Sequence, residues 1–227
     1  DYDIPTFALP EEVKEIFPHT VDTGIQHRTV TVIIDKTGYE ITTYRIDGEY
    51  KDNRHPEEVI FTDRLSGDLS RRDFTINAIA YNDVKGYVDL FGGIEDIKRR
   101  VIRGVGEPAK RFQEDALRMM RAVRFSAQLD FAIEENTLNA LKENADLIRN
   151  ISIERIREEF FKLILSDHNE RLDILLNSGM TEHFLPEILG KKFDYGKINS
   201  LSRDIVVRLA YIFYGIEWGN VKKIMKR

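Results

Sequence analysis

The chain has 227 residues, with 34 Lys or Arg and 39 Asp or Glu, and a formal net charge of −5. It contains no cysteine, which excludes disulfides and thiolate zinc sites. No apolar run approaches the length of a membrane span and no signal peptide is visible, so we expect a soluble, cytoplasmic protein. The acidic balance argues against broad, nonspecific binding to nucleic acid. Any nucleic-acid binding would therefore require a local basic surface.

The first half of the chain is predicted to mix short strands and short helices. Proline, glycine and aspartate mark the ends of these predicted elements. In chain order the elements are a helix over 10–17, a hairpin of strands 29–34 and 39–44, a strand over 87–90 and a helix over 94–98. The segment 47–56 is polar and has no face to bury, so it is predicted to be a mobile loop.

From Pro108 onward the pattern is almost wholly helical. The predicted helices cover 111–128, 134–147, 152–165, 169–178 and 203–214. The fold class predicted from this order is therefore α+β, with a mixed head followed by an all-α part. No internal repeat is evident, and the five histidines have no metal-ligand spacing.

The predicted helix 111–128 carries one acid and three arginines at three-residue steps, namely Asp115, Arg118, Arg121 and Arg124. On a continuous helix these side chains would form a sloping ridge with a rise of roughly 14 Å, the scale of a nucleoside triphosphate. An Asp beside an Arg offers an acceptor and donors that pair with a base edge, and further arginines neutralise phosphate. The alternative interpretation is a solvated charge stripe opposite a buried face.

Two other segments carry candidate chemistry. Asp1 and Asp3 are two residues apart, so on a strand they would point to the same side and could hold Mg²⁺ or Mn²⁺. The alternative is a polar chain end. Further along, Arg71, Arg72 and Asp73 precede an apolar run, which suits either contacts to ribose and phosphate or the charges found at a helix start.

Six segments appear in the order found in one family: DYDI, EITTYR, DGEYKDNRHPEEV, RRDFTINAIA, DLFGG and RFQEDALRMMRAVRF. In this order the chain resembles bacterial-type (class II) tRNA nucleotidyltransferases, the CCA-adding enzymes, and their poly(A) polymerase relatives. The resemblance implies a polymerase-β-like nucleotidyltransferase head with a small mixed or antiparallel sheet, followed by an all-α neck and body. We expect the head over 1–107, the neck over 108–165 and a tRNA-binding body over 166–227.

The resemblance also implies a reaction and a site. The reaction is template-independent addition of CCA to the 3′ end of tRNA, using CTP and ATP and two Mg²⁺ ions, with Mn²⁺ as the alternative. By the same resemblance the metal ligands are Asp1 and Asp3, Arg72 contacts the nucleotide, and Asp73 approaches the ribose. The base is read by an amino-acid template, Asp115 and Arg118, and the nucleotide contacts are completed by Arg121 and Arg124.

Several alternatives stay open at this stage. Within the family these are CC-only, A-only and poly(A) activity; outside it, a non-catalytic RNA-binding relative or a helical interaction scaffold. The loop 47–56 resembles the flexible loop of the family, and by that resemblance it favours full CCA addition. Arg28 and His55 depart from the family pattern. Glu40 is either a third metal ligand or an exposed strand acid. We expect a longer natural protein, and its oligomeric state is left open.

Overall fold

The computed structural model describes residues 3–24, 29–48 and 59–226. The described residues up to Arg72 form one compact unit, here called the sheet unit. Those from Asp73 onward form a second, here called the helical unit. Asp1, Arg28 and His55, and with them most of the predicted loop 47–56, lie outside the described residues.

The sheet unit contains a mixed four-stranded sheet in the order β1-β4-β3-β2. Its elements in chain order are β1 Asp3–Thr6, α1 Pro10–Ile16, β2 Thr20–Gly24, β3 Thr29–Ile34, β4 Thr37–Thr43, β5 Arg45–Asp47, β6 Val59–Phe61 and α2 Leu65–Ser70. β1 is parallel to β4, the other two sheet pairings are antiparallel, and β5 and β6 form a separate antiparallel pair. The small mixed sheet confirms the predicted architecture of the head.

The predicted hairpin is confirmed as β3 and β4, and its turn explains the register. Asp35 and Lys36 both have positive φ, 49° and 65°, as a two-residue turn between twisted antiparallel strands requires. This turn places Ile34 opposite Thr37, so β4 starts two residues earlier than predicted. Alternate residues of β3 face inward, and the buried Val30 packs with Val32 and with Val13 of α1.

The helical unit consists mainly of short helices. Its elements are β7 Ile79–Asn82, β8 Gly86–Asp89, α3 Gly93–Arg99, β9 Val101–Ile102, α4 Pro108–Glu114, α5 Leu117–Leu129, β10 Ala132–Ile133, α6 Glu135–Glu143, α7 Ile153–Ile164, α8 Leu172–Leu176, α9 Thr181–Phe184, α10 Tyr195–Ser200, α11 Ile205–Phe213 and α12 Trp218–Ile224. Four 3₁₀ turns cover Thr75–Asn77, Ala145–Asn150, Asn169–Arg171 and Pro186–Ile188.

One apolar core runs through the helical unit, from Phe74 to Phe213. α5 contributes most densely to it, because Met119, Met120 and Val123 are each 1 % exposed or less. α5 packs against α7, so the helix predicted to carry the reading residues is anchored in the most buried part of the unit. None of the helices formed by the described residues is long and apolar enough to cross a membrane.

The structure also differs from the sequence prediction within the helical unit. The predicted helix 111–128 is two helices, α4 and α5, separated at Asp115 and Ala116. The predicted helices 134–147 and 169–178 each combine an α-helix with a 3₁₀ turn. The expected neck contains the two-residue strand β10, which pairs in parallel with β9.

Candidate nucleotide site

The break between α4 and α5 is built by Asp115 itself. Its backbone is extended, with φ −140° and ψ 104°, and its Oδ1 accepts a hydrogen bond from the backbone N–H of Leu117 at 3.1 Å. Asp competes for backbone donors in this way wherever a helix can start, which explains a break without Gly or Pro. Its Oδ2 accepts a hydrogen bond from Arg155 of α7 at 2.9 Å.

The predicted ridge is therefore wrong in its geometry. Only Arg118, Arg121 and Arg124 share one helix, whereas Asp115 precedes that helix, so the 14 Å rise along a continuous helix does not apply. Asp115 and Arg118 nevertheless stay one turn apart, because the N–H of Arg118 donates to the carbonyl of Asp115 at 3.0 Å.

Arg118 is held by the end of α4. Its Nη1 donates to Glu114 Oε2 at 2.7 Å and to the carbonyl of Arg111 at 3.1 Å. Glu114 also pairs with the Arg111 guanidinium. The side chain of Arg118 is 11 % exposed and that of Asp115 is 19 % exposed. An acceptor and a donor thus lie side by side at the α4–α5 break, each fixed by neighbours.

Arg121 forms an ion pair with the buried Asp73, which lies 48 residues earlier in the chain. Its Nε and Nη2 both lie 2.7 Å from Asp73 Oδ2. The other oxygen of Asp73 accepts from the N–H of Phe74 at 2.8 Å and from Asn77 at 3.0 Å. Burial alone would raise the pKa of Asp73, but Arg121 and these hydrogen bonds outweigh it and lower the pKa below its ordinary value. With four such contacts, Asp73 has little acceptor capacity for a ribose, which weakens that expectation.

Arg124 forms an ion pair inside the helical unit. Its Nε lies 2.5 Å from Glu159 Oε2, and its Nη1 donates to Gln128 at 2.8 Å. The guanidinium also lies 3.8 Å from the ring centroid of Phe125, within cation–π range. The side chains of Arg124 and Glu159 are only 11 % and 6 % exposed. Burial of the guanidinium lowers the pKa of Arg124, and the negative charge of Glu159 opposes that shift.

The segment that carries Asp73 is itself fixed by α3. Thr75 donates to Asp96 Oδ2 at 2.6 Å, and Arg103 donates to the same oxygen at 2.9 Å. A Cβ on Gly93, at the start of α3, would lie 2.1 Å from the carbonyl oxygen of Thr75, so only glycine permits this approach. Asp89 caps the helix by accepting from the N–H groups of Gly93 and Ile94, both at 2.9 Å. These contacts explain the DLFGG segment as a support for the site.

The sheet unit holds two other predicted site residues, Asp3 and Arg72, whereas Asp1 lies outside the described residues. Asp3 on β1 is the register partner of Glu40 on β4, so two acidic residues lie next to each other on neighbouring parallel strands. Glu40 is exposed on its strand. In the same unit Arg72 donates to the buried Asp68 at 3.2 Å, and Arg71 donates to that carboxylate at 2.6 Å.

Asp130, His168 and Glu170 lie close together, although the spacing of the histidines along the chain predicted no metal site. His168 Nδ1 lies 3.5 Å from Asp130 Oδ1 and 3.4 Å from Glu170 Oε1. Asp130 also bonds to Arg171 at 3.2 Å and to Arg100 at 2.7 Å, and the bond from Arg171 is the main reason that its pKa is lowered. Because two guanidinium groups oppose a cation there, we interpret this group as an ion-pair cluster.

Sequence reasoning missed the partners that orient the predicted reading residues. Arg155 and Glu159 bind Asp115 and Arg124 from α7, and Glu114 binds Arg118. One signal was available, since Arg155 and Glu159 are four residues apart and so share one face of an amphipathic helix. Their partners are 35 to 40 residues away in the chain, which no local pattern reveals.

Comparison with known proteins gives consistent matches along the chain. Residues 1–103 match the family described as the poly(A) polymerase head domain. Residues 130–190 match the family described as the probable RNA and SrmB-binding site of polymerase A. The chain thus matches models of poly(A) polymerase regions over most of its length.

Individual relatives agree with the family. The CCA-adding enzyme of Lactobacillus helveticus is 52 % identical over 193 residues, which is 85 % of this chain and 48 % of the relative. That of Limosilactobacillus reuteri is 54 % identical over 168 residues, 74 % of this chain and 42 % of the relative. The crystal structure of the Bacillus stearothermophilus CCA-adding enzyme in complex with CTP is 43 % identical, with a TM-score of 0.77 over 88 % of this chain and 49 % of that one. The chain thus spans about half the length of these relatives.

Proposed function

We propose that the protein adds C, C and A to the 3′ end of tRNA, using CTP and ATP and no nucleic-acid template. The observation that carries the proposal is the pair formed by Asp115 and Arg118, an acceptor and a donor side by side at the start of α5. The similarity to a CCA-adding enzyme crystallised with CTP supports it. The match to an RNA-binding family over residues 130–190 supports RNA as the second substrate.

This pair suits the two nucleotides that the reaction requires. Cytosine and adenine each present an amino donor, N4 and N6, next to a ring-nitrogen acceptor. A carboxylate acceptor at Asp115 and a guanidinium donor at Arg118 match that order in both bases. Uracil and guanine present a carbonyl oxygen and a ring N–H instead, which sets acceptor against acceptor and donor against donor. One pair of side chains therefore accepts C and A and rejects U and G.

The remaining residues position the triphosphate. In this proposal Arg72, Arg121 and Arg124 contribute positive charge around the nucleotide, which favours bound phosphate. The pairs with Asp73 and Glu159 hold Arg121 and Arg124 in place before the nucleotide arrives. Such preorganisation matters because nucleotidyl transfer depends mainly on positioning and charge neutralisation.

The predicted metal ligands are Asp1 and Asp3, with Glu40 next to Asp3 on the sheet. Carboxylate oxygens of this kind fit Mg²⁺, so the donor chemistry agrees with a divalent site. When bound, the ions would lower the pKa of the attacking 3′-hydroxyl and stabilise charge on the leaving pyrophosphate. In this proposal the three residues hold that site, with Asp3 at the start of β1 and Glu40 opposite it in the middle of β4.

The proposal is tested with the complete protein and tRNA that lacks its 3′ end. We expect CTP alone to give tRNA ending in CC, and CTP with ATP to give tRNA ending in CCA. Extension by CTP alone with none by ATP would restrict the activity to CC addition, and multiple A additions would assign a poly(A) polymerase. Asp3→Ala should abolish transfer, whereas Asp22→Ala, an exposed acid paired with Lys14, should not. Turnover unchanged in Asp3→Ala would exclude the metal assignment.

A further inference from the structure

Asp68 is a buried acid of the sheet unit, and two arginines bind it. Its side chain is 1 % exposed and lies on α2, which ends at Ser70. Asp68 Oδ1 accepts from Arg71 Nε at 2.9 Å and from Arg71 Nη2 at 2.6 Å. Its Oδ2 accepts from Arg72 Nη2 at 3.2 Å. One buried carboxylate therefore binds two guanidinium groups that are adjacent in the chain.

Asp68 binds the two arginines to different degrees. Arg71 places two nitrogens on one oxygen, which fixes the direction of its planar guanidinium. The contact from Arg72 is longer, and the side chain of Arg72 is 26 % exposed against 17 % for Arg71. Because the charges of Asp68 and Arg71 cancel, the group of three keeps one positive charge. That charge lies on Arg72, the more exposed of the two arginines.

Asp68 is itself fixed by the packing of its helix. α2 lies against β5, and a Cβ on Gly67 would meet the side chain of Ile46 at 2.9 Å, so glycine permits this close approach. At the end of the helix, the hydroxyl of Ser70 donates to the carbonyl of Gly67 at 2.8 Å. Leu69, next to Asp68, is 2 % exposed. The carboxylate that binds the two arginines is thus presented from the packed interior of the sheet unit.

We propose that Asp68 is a positioning residue that orients Arg72 toward the triphosphate of the nucleotide. This inference rests on the proposed function, in which Arg72 contributes positive charge around the nucleotide. Asp68 neutralises Arg71 and restrains one nitrogen of Arg72 before the nucleotide arrives. A guanidinium restrained in this way loses less side-chain entropy when it binds phosphate. Asp68 therefore acts on the affinity for the triphosphate and not on the choice of base, which the proposal assigns to Asp115 and Arg118.

The test measures the binding of CTP and of ATP to the complete protein by titration calorimetry, with Mg²⁺ and without tRNA, so that it does not depend on turnover. Asp68→Asn keeps the shape of the side chain and removes its charge. Asp63→Asn is the matched control, because Asp63 is an exposed acid just before the same helix. Arg72→Met and the double variant of Asp68→Asn with Arg72→Met complete a double-mutant cycle. The melting temperature of every variant is measured alongside.

We expect Asp68→Asn to raise the Kd for CTP about tenfold, the size of effect that one charge-assisted hydrogen bond produces. The Kd for ATP should rise by the same factor, because both nucleotides carry the same triphosphate. The double variant should bind CTP as Arg72→Met does, since Asp68 acts through Arg72, and Asp63→Asn should match the wild type. An unchanged Kd in Asp68→Asn, or two factors that multiply in the double variant, would overturn the inference.

If Asp68→Asn melts early, Asp68→Glu decides, because it keeps the charge and moves the carboxylate by one methylene group. We expect a smaller rise in the Kd for CTP in Asp68→Glu, and a wild-type Kd there counts against the inference. A wild-type protein that binds neither CTP nor ATP would overturn the proposed function as well. Binding of both nucleotides that no Asp68 variant weakens would overturn this inference alone.

Discussion

Two acids contact α5, Asp115 just before its start and Asp73 through Arg121, and they differ in how many hydrogen bonds they accept from the protein. Each is bonded to an arginine far away in the chain, and each is largely removed from solvent. Asp73 accepts four contacts from protein groups, which is about the capacity of a carboxylate. Asp115 accepts only two hydrogen bonds from the described residues, so about half of its capacity is left for a ligand.

The comparison separates a carboxylate that keeps acceptor capacity for a ligand from one whose capacity is taken up by protein donors. A carboxylate that is saturated by protein donors stabilises its surroundings and cannot read a base. One that is oriented but unsaturated can do so. Sequence spacing treats Asp115 and the three arginines that follow it as one set, whereas the structure divides them by their partners.

The largest effect on stability is expected from breaking the Arg124–Glu159 ion pair. Arg124→Met should lower the free energy of unfolding by about 3–5 kcal/mol, because it leaves Glu159 buried without its main partner. Urea unfolding measures this loss. Lys14→Met breaks an ion pair in which both side chains are 39 % exposed, and should cost less than about 1 kcal/mol. Equal losses in the two variants would contradict the assignment.

A pH series tests the saturated acid. The pKa of Asp73 is lowered in the folded protein, so its contribution is present above the ordinary aspartate pKa. It is lost as the pH falls below that value and through the lowered one, because the unfolded state then binds a proton more readily. Asp73→Asn should cost about 2 kcal/mol at pH 7 and flatten this acid-side decline. An unchanged slope of unfolding free energy between pH 5 and 3 (about the range in which carboxylates titrate) would exclude Asp73 as its source.

The extent to which the fold and the candidate site could be predicted from the sequence differs from one element to another. The β3–β4 hairpin was predictable, because its alternation and its Asp35–Gly38 turn are both local signals. The break at Asp115 was not, since the segment contains strong helix formers and the cap depends on one side chain turning back. The partners on α7 could not be assigned, because contact between α5 and α7 is set by tertiary packing.

A smaller effect on the rate of A addition is expected from changes in the polar loop 47–56. Measuring that effect tests whether Asp115 and Arg118 select A without help from the loop. Arg54→Ala should slow the addition of A several-fold more than the addition of C, so that tRNA ending in CC accumulates when both nucleotides are supplied. Lys85→Ala, on the β7–β8 turn, is the control. Equal slowing of both steps would assign the loop to general positioning, and no slowing would leave selection of A to the reading pair.

The most direct test of the central claim compares the two acids in one assay. The ratio of kcat/KM for CTP to that for UTP is measured in Asp115→Ala and in Asp73→Asn, on tRNA lacking its 3′ end. We expect the ratio to fall at least several-fold in Asp115→Ala, since a good base contact discriminates by about 1–3 kcal/mol. In Asp73→Asn the ratio should stay at the wild-type value even where overall activity falls. A preserved ratio in Asp115→Ala, or a larger fall in Asp73→Asn, would contradict the division between a reading acid and a structural one.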